Sequence, residues 1–197
     1  MGKSRLEAFS DGVLAIIITI MVLGLQAPQG GDLAALRSLL PSLLSYVLSF
    51  VYVGIYWNNH HHMLQVTRRV SGRVLWANLG LLFWLSLLPF ATGWMGKRHD
   101  DALPAAVYGF VLLMAAISYF VLQQSIIGAE GADSVLAQAV GGDWKGKASP
   151  VLYIVAIAAA FWQEWLAQSI YAAVALMWLV PDRRIERVFG AQESSAE

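Results

Sequence analysis

Cysteine is absent from the 197 residues, which excludes disulfide bonds and thiolate metal sites. Charge is also scarce, because only 13% of the residues are Asp, Glu, Lys or Arg, where soluble domains carry about 25%. Acidic and basic residues are equal in number, at 13 each, so the net charge gives no indication of a nucleic-acid partner. The sequence contains no glycine-rich phosphate loop, nucleophile–base pattern or paired carboxylate. We therefore expect neither an enzyme nor a nucleic-acid-binding protein, and no cofactor.

Apolar residues make up 58% of the chain and are concentrated in long runs. A helix that crosses the hydrocarbon of a membrane needs about 20 mostly apolar residues. Four runs meet this requirement, at residues 5–25, 39–62, 73–94 and 103–127. Eight Trp and seven Tyr are many for this length, and these residues collect at membrane–water interfaces. The sequence therefore predicts an all-α integral membrane protein.

A further apolar stretch, from Ala148 to Val180, is too long for one span. Its 33 residues contain one ionisable group, Glu164. A single helix of that length exceeds a hydrocarbon layer of about 30 Å even when it is tilted. We therefore predict two spans joined by a tight turn near residues 163–165, which makes six spans in all. The alternative is a chain of five spans with a long final helix.

The placement of the basic residues distinguishes six spans from five. With six spans and the amino terminus inside, ten Lys and Arg residues lie on the inner side and three on the outer side. The inner residues are Lys3, Arg5, Arg68, Arg69, Arg73, Lys145, Lys147, Arg183, Arg184 and Arg187, and the outer residues are Arg37, Lys97 and Arg98. This distribution follows the positive-inside rule, whereas five spans would put the basic segment 181–187 outside. The sequence favours six spans with both termini in the cytoplasm.

One side of the first span carries a continuous apolar stripe. At 100° per residue, Gly12, Ile16, Thr19, Ile20 and Leu23 fall within about 80° of one another on a helix. Helix packing or contact with lipid is the ordinary explanation of such a stripe. Periodicity by itself does not distinguish these explanations from a functional one.

The acidic residues at the start of the same span need another explanation. Glu7 and Asp11 occupy the place where a cleavable signal peptide has its basic region, so we expect a retained span. Asp11 lies about 140° around the helix from Ile16, away from the stripe. Arg5 is six residues earlier and cannot form an i,i+4 pair with it. Because an ionisable group inside a span is costly, we expect Asp11 to be buried near the inner boundary, with a partner on another helix or subunit.

Candidate partners lie at the inner end of the second span, in "YWNNHHHML". Three consecutive histidines point about 100° apart, so they cannot all bind one metal ion from one helix. A hydrogen-bonded junction of Arg5, Ser10, Asp11, Trp57 and one or two of the histidines is the stronger hypothesis. We also expect four polar residues to form interhelical hydrogen bonds or to lie at the membrane interface: Asn78 and Ser86 in the third span, and Gln123 and Gln124 at the end of the fourth.

Three motifs resemble a known family. "RLEAFSD" matches the pattern R-x-x-x-F-S-D at Arg5, Phe9, Ser10 and Asp11. "YWNNHHHM" has a Trp followed by a His three residues later, and "MWLVPDRRIE" at 177–186 resembles the usual exit from a sixth span. Together these motifs resemble the bacterial branch of the transmembrane protein 175 family, the lysosomal potassium channels. The resemblance extends from one end of the chain to the other.

This resemblance implies a homotetramer in which the first helix of each six-span subunit lines a central pore. Ile16, Ile20 and Leu23 match the hydrophobic constriction, and Thr19 together with Ile16 matches the positions implicated in potassium preference. Six residues match the polar junction that fixes the pore helix: Arg5, Phe9, Ser10, Asp11, Trp57 and His60. The filter sequence "TVGYG" of ordinary potassium channels is absent, so the expected selectivity is weak.

We therefore expect a potassium-permeable cation channel in a bacterial inner membrane. Its partners are further copies of the chain, the lipid bilayer and monovalent cations, and potassium is the permeant ion. Residues 1–189 are expected to form the six-helix channel domain, and residues 190–197 a polar tail. The alternative is a secondary transporter or a non-conducting scaffold. A transporter typically has interrupted helices in matching halves of the chain, and the sequence shows no paired Gly/Pro interruptions of that kind.

Overall fold

The computed structural model describes residues 2–131, 134–140 and 144–179, and every regular element in these ranges is an α-helix. Residues 180–197, which include the predicted tail, lie outside the described ranges. The helices are α1 (Lys3–Leu23), α2 (Leu33–Gln65), α3 (Gly72–Ser86), α4 (Leu88–Lys97), α5 (Ala102–Glu130), α6 (Val135–Val140), α7 (Trp144–Ala160) and α8 (Glu164–Leu179). The predicted all-α fold is confirmed for this part of the chain.

Four helical segments in the described part of the chain are long and apolar enough to cross a membrane. They are α1, α2, the combined α3 and α4, and α5, and they contain most of the four predicted runs. The second begins at Leu33, well before the predicted start near residue 39. Asp32 explains the earlier start, because its side chain accepts a hydrogen bond from the Ala35 N–H at 2.9 Å and caps the helix. Pro41 then lies inside α2 and not at its beginning.

The third predicted span is divided into α3 and α4 at Leu87. Pro89 follows two residues later. A proline cannot donate to the carbonyl four residues earlier, here that of Leu85, and its ring clashes with that carbonyl. The break therefore lies where the sequence removes a helical hydrogen bond.

The long apolar stretch after Ala148 forms two helices. Helix α7 ends at Ala160 and α8 begins at Glu164, so a turn at residues 161–163 separates them. Trp165 Nε1 donates to Gln163 Oε1 at 2.9 Å just after the turn. The predicted break is confirmed to within a few residues, and one long final helix is excluded.

Helix α5 lies at the centre of the bundle and packs against α3, α4, α7 and α8. Its closest contact depends on Gly109, because a Cβ atom there would lie 2.0 Å from Tyr171 Oη of α8. Tyr171 Oη donates to the Ala105 carbonyl at 3.0 Å, and Tyr52 Oη of α2 donates to the Tyr171 carbonyl at 2.7 Å. These hydrogen bonds hold α2, α5 and α8 together.

Candidate functional site

Helix α1 packs on the bundle through one face only. It contacts α2, α3 and α4. Its buried residues recur every three or four positions, as expected for one side of a helix: Leu6, Ser10, Leu14, Ile17 and Met21. Among them only Ser10 carries a polar side chain, and it is fully buried.

The opposite face of α1 is uncovered in a single chain. Ile16 is 58% exposed, Ile20 is 50% exposed and Leu23 is 75% exposed. Gly12 and Thr19 are exposed beside them. All five residues of the predicted stripe therefore lie on one surface that this chain does not cover. In the native membrane such a row of branched aliphatic side chains contacts lipid, packs against another subunit, or lines a narrow apolar pore.

The Thr19 hydroxyl is oriented by its own helix. Its Oγ1 donates to the Ala15 carbonyl at 2.9 Å. The hydroxyl hydrogen is thereby engaged, so only the oxygen lone pairs remain for contacts on the uncovered side. Thr19 can consequently act there as an acceptor or as a ligand of a cation.

A buried hydrogen-bond chain joins the packed face of α1 to two other helices. Ser10 Oγ donates to the Leu6 carbonyl at 2.9 Å and accepts from Asn78 Nδ2 at 3.0 Å. Asn78 Oδ1 lies 2.7 Å from His60 Nε2, so the imidazole is the donor there. Ser10, Asn78 and His60 are all buried. The chain connects α1, α2 and α3, and breaking it would leave buried polar atoms unpaired.

Asn78 forms the interhelical hydrogen bonds that we expected, but nothing in the sequence places it between Ser10 and His60. The sequence feature that indicated a hydrogen-bonding role was a single amide side chain in the apolar run of the third span. Sequence spacing cannot specify which other helix such an amide meets.

A second contact lies at the edge of the uncovered face. Trp57 Nε1 donates to Asp11 Oδ1 at 3.1 Å. Trp57 is 47% exposed, and Asp11 is exposed as well. The expectation that Asp11 is buried is therefore wrong for the single chain, because Asp11 lies outside the face of α1 that packs on the bundle. The expected partner on another helix is nevertheless present.

Arg5 and Phe9, the other two motif residues, do not join these contacts in the single chain. Phe9 is 48% exposed, and Arg5 is exposed too. Within the described ranges, the Arg5 guanidinium forms no hydrogen bond or ion pair with another side chain. Lys3 provides a contact that the sequence did not indicate, since its Nζ donates to the Gln65 carbonyl at the end of α2 at 2.7 Å.

The three consecutive histidines have different neighbours. His60 is bonded to Asn78, whereas the His61 ring stacks on Trp57 with the centroids 6.1 Å apart and is 3.0 Å from Gln65 Nε2. No group of three His, Cys, Asp or Glu side chains in the described part of the chain is arranged to hold a metal ion. The histidines thus serve hydrogen bonding and ring packing.

Residues 5–89 match the family model described as endosomal/lysosomal potassium channel TMEM175. The matched region contains α1, α2 and α3, and therefore both the uncovered stripe and the hydrogen-bond chain behind it.

Individual relatives agree with the family model. A potassium channel of Chryseobacterium sp. (strain P1-3) is 53% identical over 187 residues, which cover 95% of this chain and 97% of that protein. The mouse endosomal/lysosomal proton channel TMEM175 is 28% identical over 138 residues, or 62% of this chain and 28% of that protein. The crystal structure of a lysosomal potassium-selective channel TMEM175 homologue from Chamaesiphon minutus has a TM-score of 0.79 and 29% identity, and the match covers 90% of this chain and 96% of that one.

Proposed function

Because the chain belongs to the TMEM175 family, whose members are ion channels and not enzymes, we propose that it is a weakly selective, potassium-permeable channel. The observation that carries this proposal is the uncovered stripe of α1, with Ile16, Ile20 and Leu23 exposed on it. A soluble surface would not carry such a row, and the hydrogen bonds of Ser10 fix the orientation in which α1 presents it.

Four copies of the chain would place four α1 helices around a common axis. The uncovered stripe then faces the axis, and the packed face remains against α2, α3 and α4. This arrangement covers the exposed aliphatic side chains without requiring a change in the fold of the subunit.

The constriction would consist of successive rings of Ile16, Ile20 and Leu23. A narrow ring of isoleucines excludes water from an unopened pore, so it can close the path without a charged gate. Selectivity would be weak, because branched aliphatic side chains cannot replace the hydration shell of an ion. Thr19 adds a ring of oxygens whose lone pairs face the axis, which favours partly dehydrated potassium.

The polar contacts behind the pore helix would hold it in place. Ser10, Asn78 and His60 fix its packed side, and Trp57 fixes Asp11 at its edge. Arg5 and Phe9 are exposed in the single chain, so we assign their partners to a neighbouring subunit. The predicted junction thus consists of a part within the subunit and a part between subunits.

We further propose that α7 and α8 are the fifth and sixth spans, in a subunit of residues 1–189 followed by a polar tail at 190–197. With 17 and 16 residues they are short for spans, and the aromatic residues at their shared turn would extend them to the interface. The distribution of Lys and Arg supports cytoplasmic termini in a bacterial inner membrane. The partners are then other copies of the chain, the bilayer and monovalent cations, with no cofactor.

The test is ion flux from liposomes that contain purified protein with Ile16→Asn. A polar side chain in the constriction should hydrate it, so we expect faster potassium efflux and a smaller preference for potassium over sodium. Ile154→Asn is a matched control, because Ile154 is 57% exposed on α7 and has no place in the proposed pore.

Both variants should elute as the same oligomer as the wild type. Equal flux for wild type and Ile16→Asn would remove Ile16 from the constriction. Saturating, coupled uptake without single-channel currents would favour a transporter, and no flux at all would favour a scaffold.

A further inference from the structure

A cavity of about 310 Å³ lies on the side of the bundle away from α1, among α2, α5, α7 and α8. Its volume is at the low end of the ~300–1,000 Å³ range of small-molecule sites. Ile117 and Phe120 border it and are 41% and 55% exposed, so the cavity opens to the outside of the subunit. The aromatic rings of Tyr52 and Tyr153 close it toward the core.

The helices around this cavity have a defined register. Ser49 Oγ contacts Tyr108 Oη at 3.0 Å near one end, and Tyr119 Oη contacts the Asn59 carbonyl at 3.5 Å nearer the other, so α2 and α5 run in the same direction. A Cβ atom on Gly109 would meet Ile157, whereas the later part of α5 lines the cavity with the beginning of α7. Helix α7 is therefore antiparallel to both.

This register gathers polar groups at one end of the cavity. Asn59 lies one turn beyond Ile55 on α2, Gln123 lies two turns beyond Ala116 on α5, and Lys147 comes before the apolar part of α7. Each of these residues is nearer the end of the bundle where α1 begins. The slot extends about 10 Å along the helices, since seven residues of α5 span it at 1.5 Å each.

The charge that lines the cavity has one sign. The exposed side chain of Lys147 borders the cavity, and none of the described residues that line it is acidic. The next charged residue along the described part of α7 is Lys145, which is also basic. An apolar slot with a lysine at its mouth matches a ligand that has an acyl chain attached to an anionic head.

We propose that this cavity binds an anionic phospholipid, with the upper part of one acyl chain in the slot and the phosphate near Lys147. The proposal rests on the cytoplasmic orientation given above, which puts Lys147 at the depth of the inner headgroups. Basic pockets between membrane helices on the cytoplasmic side are suited to such headgroups. The site is separate from the proposed pore, because none of the residues that line it comes from α1.

Native mass spectrometry of the delipidated oligomer tests this directly. The probes are palmitoyl-oleoyl phosphatidylglycerol and the corresponding phosphatidylcholine at equal concentration. We expect the wild type to retain phosphatidylglycerol about fivefold more strongly than phosphatidylcholine, since one lysine near the membrane surface contributes about that factor. Lys147→Gln should abolish the preference, whereas the matched control Lys97→Gln, an exposed lysine at the other end of the bundle, should keep it.

Ala116→Leu fills the slot and should lower the retention of both lipids. The proposal is overturned if Lys147→Gln and Lys97→Gln retain phosphatidylglycerol equally, or if Ala116→Leu binds as much lipid as the wild type, because either result indicates adsorption elsewhere on the surface. The readout is bound mass and not conduction. An unchanged flux in Ile16→Asn would therefore refute the constriction and leave this result standing.

Discussion

The most apolar 18-residue stretches of α1 and α5 are almost equally hydrophobic, yet the bundle uses the two helices in opposite ways. Helix α5 buries twelve of its 29 residues and contacts neighbours on most sides. Helix α1 buries five of its 21 residues, all on one face. The difference shows that hydropathy identifies a span but does not say whether the span is packed on most sides or leaves one face uncovered. What separates them is the arrangement of the neighbouring helices, because the three neighbours of α1 all pack against one of its faces.

The glycines of the two helices offer the sharpest test of this difference. In α5, a methyl group on Gly109 would collide with Tyr171, whose hydroxyl is fixed by the Ala105 carbonyl. We expect Gly109→Ala to destabilise the subunit by about 1–3 kcal/mol, as overpacking does. Thermal unfolding in detergent measures this effect.

The matched variant Gly12→Ala lies on the uncovered face of α1, where a Cβ atom meets nothing within 4 Å. It should be neutral or slightly stabilising, because Ala is the better helix former by about 1 kcal/mol. Equal losses of stability in the two variants would contradict the distinction between a packed and an uncovered helix.

Breaking the hydrogen-bond chain at Ser10 should have the next largest effect on the stability of the subunit. Asn78→Ala removes its bonds to Ser10 and His60 and leaves both of these buried groups without that partner. A double-mutant cycle with Ser10→Ala should give a coupling free energy of roughly 0.6–1.7 kcal/mol, the range found for polar pairs in membrane helices. If the losses of stability in the two single variants simply added in the double variant, the contact between Ser10 and Asn78 would not hold α1 on the bundle.

The smallest expected effect on the subunit comes from Asp11. Its hydrogen bond to Trp57 is exposed, so Asp11→Ala should lower the free energy of unfolding by less than about 1 kcal/mol. We expect a lower yield of assembled oligomer, with ion selectivity largely kept, because the exposed carboxylate would contact a neighbouring subunit in the proposed assembly. Light scattering after size exclusion and reversal potentials under bi-ionic conditions measure the two quantities.

Trp57→Phe removes the same hydrogen bond and keeps the carboxylate, so it separates the two roles of Asp11. The assembled fraction should fall with Asp11→Ala and remain near wild type with Trp57→Phe. A strong change in selectivity with intact assembly would instead indicate that Asp11 contacts the permeant ion.

Much of the fold could be predicted from the sequence, because long apolar runs and breaks are local properties. The four helical segments long enough to cross a membrane, and the turn after Ala160, follow from the length of the apolar runs and the thickness of the hydrocarbon layer. The sequence analysis did not predict the early start of α2 at Leu33, because it followed the apolar run from residue 39 and overlooked the Asp32 cap. Helical periodicity alone places Ile16, Thr19 and Ile20 on one face, whereas the structure shows that the chain leaves this face uncovered.

Which groups meet across helices was decided only by the tertiary structure. The residues determined that Ser10, Asp11, Asn78 and His60 need partners, because polar groups in an apolar medium cannot stay unpaired at low cost. Packing then selected Asn78 as the partner of Ser10 and His60, and it turned Asp11 outward to Trp57. A helix specifies the direction of each side chain about its own axis, but its rotation and depth relative to its neighbours come from the fit of whole surfaces such as Gly109 against Tyr171.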